Sequence, residues 1–102
     1  MDLALAALAV PRRRQILEIL GDAELPVSAI AAQFDVTRPA ISQHLGVLKA
    51  AGLVADRRVG TRRLYRARPE GLDEVRSWID DLWRTSLARL KAEAEQEAKE
   101  QR

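Results

Sequence analysis

The 102-residue chain contains no cysteine, which closes off disulfides, thiolate metal sites and thiol redox chemistry at once. It has one histidine, His44, and a single histidine without cysteine makes no metal site. Aromatic residues are 4% of the chain, too few to fill a core alone. Long apolar runs are missing too. The longest, Leu3 to Val10, lacks the basic leader of a signal peptide and falls far below the roughly 20 residues that cross a bilayer. A cytoplasmic protein with no membrane partner is expected. Nor is there a paired acid and base, a nucleophile motif or a phosphate-binding glycine loop, so neither enzyme chemistry nor a cofactor is expected.

What is present reads as a folded globular chain, 47% apolar and 31% charged. Its length allows one domain with a small core, which a partner subunit would help to stabilise. The net charge of +2 hides an uneven distribution. Residues 36–68 carry eight cations (Arg38, Lys49, Arg57, Arg58, Arg62, Arg63, Arg66, Arg68) against one acid, Asp56. Residues 69–102 carry six basic and nine acidic side chains. Positive charge confined to one stretch is the footprint of polyanion binding.

Along the chain, Leu3–Ala9 is an Ala/Leu-rich helical segment, and Pro11 opens a second helix that Gly21 ends, with Ile16, Leu17, Ile19 and Leu20 on its buried side. Asp22–Pro26 reads as a loop. Ser28 is then placed to cap a short helix carrying Ile30, Ala31 and Phe34, followed by a tight turn at Asp35-Val36. Thr37 is an N-cap and Pro39 a first-turn residue for a helix over Arg38–Ala51, stopped by Gly52. Ile41, Leu45 and Leu48 share one face of that helix, and Pro39, Ser42, Gln43 and Gly46 the opposite one. Leu53–Arg58 and Arg62–Ala67 form a hairpin across Val59-Gly60-Thr61. From about Leu72 a long helix aligns Leu72, Val75, Ile79, Leu82, Ser86 and Leu90, with Trp78 and Trp83 flanking the stripe. Beyond Lys91 only Ala, Glu, Gln, Lys and Arg remain. If helical to Lys99, this element is roughly 40 Å long at 1.5 Å per residue, so part of it projects or packs on a partner.

Two short helices joined by a turn of three to four residues, the second polar on one face, then a basic hairpin: this is the order of a winged helix-turn-helix, whose second helix enters the major groove. The fold expected is mainly α (α+β), with a two-stranded β-hairpin wing and a long C-terminal dimerisation helix. Arg38, Ser42 and Gln43 are the candidates for base edges, since Arg pairs bidentately with guanine and Gln with adenine. Arg57, Arg58, Thr61, Arg62 and Arg63 suit phosphates or a neighbouring minor groove. Thr37, Pro39, His44 and Lys49 complete the DNA-binding set. His44 lies at the edge of the buried stripe, where packing and DNA contact are both open. Arg12–Arg14 are equally open between a solvated face and a phosphate contact.

Several strings resemble the ArsR/SmtB-type winged helix repressors, in particular their metal-independent SdpR-like autorepressors. Residues 11–20 (PRRRQILEIL) resemble the family's second helix, residues 37–54 (TRPAISQHLGVLKAAGLV) its recognition helix and following strand, and residues 60–65 (GTRRLY) its wing. The resemblance covers residues 3–90 or so, expected to form the DNA-binding and dimerisation domain (1–90), with 91–102 a charged helical tail. It implies a homodimer formed by the first and last helices through Leu3, Leu5, Leu8, Trp78, Ile79, Leu82, Trp83 and Leu90. Its DNA would be a palindromic operator on duplex DNA with half-sites about one helical turn, roughly 34 Å, apart. Where metal-sensing members carry a Cys-containing motif this chain reads Val27-Ser28-Ala29-Ile30-Ala31, and its last helix has no His, so no metal is expected. The functions open are repression, with its own promoter as one candidate target, and an effector-responsive variant in which a small molecule or partner at the dimer interface controls DNA affinity.

Overall fold

A computed structural model describes residues 1–101; Arg102, the last residue of the expected tail, lies outside the described residues. Helix α1 (Asp2–Leu8) turns Ala4 and Ala7 into the core and leaves Leu3 and Leu5 exposed. Helix α2 (Pro11–Leu20) starts with Pro11 in its first turn, where no backbone N–H is required. Of the four apolar residues expected inside it, Ile16 and Leu20 are fully buried, while Leu17 and Ile19 are half-buried.

The expected loop at 22–26 contains a strand. Leu25–Pro26 (β1) pairs antiparallel with the hairpin, Leu25 opposite Tyr65 and Pro26 opposite Leu64. Proline is tolerated there because β1 is an edge strand. The extended backbone runs up to Pro26, and helix α3 (Val27–Ala31) begins at the next residue. Ser28 therefore lies inside the helix rather than capping it, and no side chain caps α3. The helix also stops before Phe34, so residues 32–37, and not three or four, connect it to the next helix. Phe34 instead packs half-buried against the core and holds this connection down.

Helix α4 (Arg38–Ala50) forms where its local signals put it: Thr37 Oγ1 accepts from the Ala40 amide at 3.3 Å, an N-cap bond. Ile41, Leu45 and Leu48 are completely buried along one face. Strands β2 (Val54–Val59) and β3 (Arg62–Ala67) are joined by the two-residue turn Gly60-Thr61, with Val59 opposite Arg62. Gly60 has φ +64°, the left-handed region that a side chain makes costly. With β1, the sheet has three antiparallel strands in the order β1-β3-β2, where the sequence suggested two.

A 3₁₀ turn (Pro69–Leu72) leads into α5 (Asp73–Glu100). Only Val75 of α5 is buried, so the helix is anchored by its first turn and then leaves the core. The molecule is correspondingly long, 74 × 25 × 21 Å. Its radius of gyration of 20.1 Å compares with about 13 Å for a compact 100-residue domain. No helix among the described residues is long and apolar enough to cross a membrane.

Candidate nucleic-acid interface

Burial of Ile41, Leu45 and Leu48 fixes the rotation of α4, and its opposite face stands in solvent. Thr37, Arg38, Pro39, Ser42, Gln43 and Gly46 are all exposed. Arg38, Ser42 and Gln43 together present fork-shaped donors, a hydroxyl and an amide, the groups that read base edges. None of the three uses its side chain in an ion pair or hydrogen bond elsewhere among the described residues.

The hairpin tip comes to the same place. Arg38 of α4 and Thr61, Arg62 and Arg63 of the hairpin line one open cleft together with Pro26, Val27 and Ser28. The arginines of the hairpin differ in a way composition does not reveal. Arg57 Nε donates to Glu24 Oε2 at 2.7 Å, and Arg63 Nη1 donates to Asp56 Oδ2 at 2.6 Å. Lys49, at the carboxyl end of α4, also meets Asp56, Nζ to Oδ1 at 2.8 Å. Arg58 Nε donates to the carbonyl of Gly60 at 3.2 Å, bracing the turn. Arg62 has no ion-pair partner among the described residues.

These pairs are felt in proton affinity. Hydrogen bonds from Lys49 and then Arg63 hold the Asp56 carboxyl below its ordinary value, and the bond from Arg57 does the same for Glu24. Their partners Arg57 and Arg63 are pushed up in turn. Sequence reasoning missed Glu24 as part of this surface, because its partner lies 33 residues away and no local pattern joins them.

His44 is half-buried on the flank of α4, where its Nδ1 accepts from Arg13 Nε at 3.3 Å. Burial, followed by the charges of Arg13 and Arg12, lowers its proton affinity. In the neutral ring that this shift favours, acceptance at Nδ1 places the proton on Nε2.

The residues expected at a dimer interface divide in two. Leu3, Leu5, Trp78, Ile79, Leu82, Trp83 and Leu90 are exposed, Trp83 by 63%, whereas Leu8 is half-buried against the chain's own core. Leu87, one turn beyond Trp83, is 60% exposed and extends the same apolar surface; its i, i+4 spacing was the signal for it.

A helix pair with its second helix exposed on the polar face, backed by a three-stranded sheet whose hairpin carries cations beside that helix, defines a winged helix-turn-helix protein. A profile of bacterial regulatory proteins of the arsR family matches residues 10–56. The HTH-type transcriptional regulator Rv2034 of Mycobacterium tuberculosis is 48% identical over 86 residues, 84% of this chain and 80% of that protein. The transcriptional repressor SdpR of Bacillus subtilis is 32% identical over 79 residues, 78% of this chain and 88% of that protein. The solution structure of the homodimeric winged helix-turn-helix DNA-binding domain Mb0332 from Mycobacterium bovis superposes with a TM-score of 0.66 at 36% identity, covering 79% of this chain and 75% of that one. The chain belongs to the arsR family of bacterial regulatory proteins, which are transcriptional regulators and not enzymes.

Proposed function

We propose that this chain is a homodimeric, sequence-specific repressor that inserts α4 into the major groove of a palindromic operator, its own promoter being the first candidate. The observation that carries the reading is the exposed polar face of α4, whose Arg38, Ser42 and Gln43 have no side-chain partner among the described residues, beside a cationic hairpin. Arg38, Ser42 and Gln43 read base edges, with Thr37 and Pro39 at the helix start; Arg58, Thr61 and Arg62 meet phosphates, and Arg57, Arg63 and Lys49 add charge from within their ion pairs. Residues 1–90 serve as the DNA-binding and dimerisation unit, and 91–102 as a charged tail. Dimerisation through α1 and α5 is supported by their exposed leucines and tryptophans and by the homodimeric Mb0332 domain. Membership of the metal-independent, SdpR-like branch is supported by the likeness to SdpR and by the lack of cysteine.

The test is a fluorescence anisotropy titration onto the DNA upstream of its own gene, onto genomic fragments and onto random duplex, at several salt concentrations. One palindromic site should bind about 10³–10⁷ times more tightly than random duplex. Binding that no fragment improves by even tenfold would remove sequence-specific repression.

A further inference from the structure

Arg13 of α2 meets His44 of α4 on the flank opposite the hairpin, and Arg12 lies beside it against Phe34, just before α4. With Ile41, Leu45 and Leu48 turned inward, the helical period puts Arg38, Ser42 and Lys49 on one side of the buried stripe and Ala40 and His44 on the other. Contacts agree with this division: Lys49 meets Asp56 of β2, and His44 meets Arg13 of α2. Arg13 commits only its Nε–H to His44, so its terminal amino groups remain. Arg12 lies with its guanidinium carbon 4.7 Å from the centroid of the Phe34 ring. Stacking restrains a guanidinium while leaving its in-plane N–H donors uncommitted. Arg14, by contrast, is used by the fold itself, donating to the Leu8 carbonyl at 2.5 Å.

What this cluster lacks is an acid. Arg57, Arg63 and Lys49 each face a carboxylate, yet neither Arg12 nor Arg13 makes an ion pair among the described residues. The charges that act on His44 are Arg13 and Arg12, and both disfavour its protonation. Two restrained guanidiniums and the Nε2–H of a neutral imidazole therefore form a positive, donor-rich spot with no counter-ion among the described residues. That combination matches the oxygens of a phosphodiester.

We propose that Arg12, Arg13 and His44 form a second phosphate clamp, gripping the DNA backbone on the side of α4 away from the hairpin, so that the helix is held in the groove from both flanks. The clamp rests on the DNA-binding reading above, and it adds α2 to the elements that touch DNA.

Wild type, Arg12→Ala, Arg13→Ala and the hairpin variant Arg62→Ala are titrated onto operator and random duplex at several salt concentrations. Arg12→Ala and Arg13→Ala should each weaken both duplexes roughly tenfold, the scale of one charged hydrogen bond, and flatten the salt dependence by about one unit for each phosphate no longer neutralised. Because His44 is the only histidine, its imidazole proton can also be followed alone by NMR. A phosphate in the clamp offsets the two arginines, so the pKa of His44 should rise when duplex is added. If both variants bind as wild type does while Arg62→Ala is weakened, or if His44 titrates identically with and without duplex, the clamp is overturned and the DNA reading stands. If wild type binds no duplex above background, the reading falls and takes the clamp with it. Should Arg13→Ala fail to fold, Arg12→Ala and the His44 titration still decide.

Discussion

Arginines that look alike in the sequence do different work according to what they already touch. Arg38 sits at the amino end of α4 and Arg62 at the hairpin tip, and among the described residues neither side chain makes an ion pair or hydrogen bond. Arg38→Ala should relax base preference at one position per half-site, costing about 1–3 kcal/mol there. Arg62→Ala should weaken all sequences alike and lower the salt slope by about one unit for each phosphate the arginine meets. Selection from a randomised operator library distinguishes the two, and equal losses on operator and random duplex for both would contradict the assignment. Asp56 acts inward instead. Its side chain is 6% exposed and ties Lys49 of α4 to Arg63 of β3. Its pKa is depressed in the folded state, so its stabilisation is complete above the unfolded value of about 3.9 and is lost as pH falls through that value toward the folded one. Asp56→Asn should cost about 1–2 kcal/mol at pH 7, at the low end for charged hydrogen bonds because both cations are half in solvent. Urea unfolding at pH 7 and pH 3 checks this, since the gap between the two proteins must narrow in acid.

At the scale of elements, legibility follows the range of the interaction. Helix α4 is readable from the sequence to within one residue because its cap, its first-turn proline and its i, i+4, i+7 stripe are all local. Strand β1 is not readable: two residues show no alternation, and what makes them a strand is pairing with β3, far along the chain. That unseen strand also moves the start of α3 and displaces Ser28 from the cap. The join between the hairpin and α5 is likewise hidden. A Cβ on Gly71 would stand 2.1 Å from the carbonyl oxygen of Gly52, so two backbone segments touch where the sequence shows only a breaker. Gly71→Ala should therefore cost about 2–3 kcal/mol, as an overpacked site does, and lower the melting temperature by on the order of 10 °C. Calorimetry showing an unchanged melting point would mean the junction can yield at no cost.

The whole molecule is shaped by a helix that its own core does not cover. Val75 is the last buried residue of α5, and from Trp78 to Leu90 its large apolar side chains are exposed. Leu82→Glu with Trp83→Glu should give a folded monomer, because neither side chain belongs to the core of one chain. Light scattering would register the halved mass and circular dichroism the retained helix. Operator affinity should fall roughly a hundredfold or more as two linked half-site contacts become independent. A variant that stays dimeric would place the interface elsewhere.

The order of helices and hairpin, the face of α4 that is buried, the net positive excess of residues 36–68 and the closure of thiolate chemistry can all be read from the residues in line. They follow from composition and from patterns a few residues long, in which capping and periodicity act. The third strand of the sheet, the pairing of Arg57 and Arg63 while Arg38 and Arg62 find no partner among the described residues, and the reach of Arg13 to His44 emerge only once the chain has folded. Each of those depends on the distance between segments remote in the chain, because hydrogen bonds form only at about 3 Å and side-chain charges are screened beyond about 10 Å, distances that only folding sets.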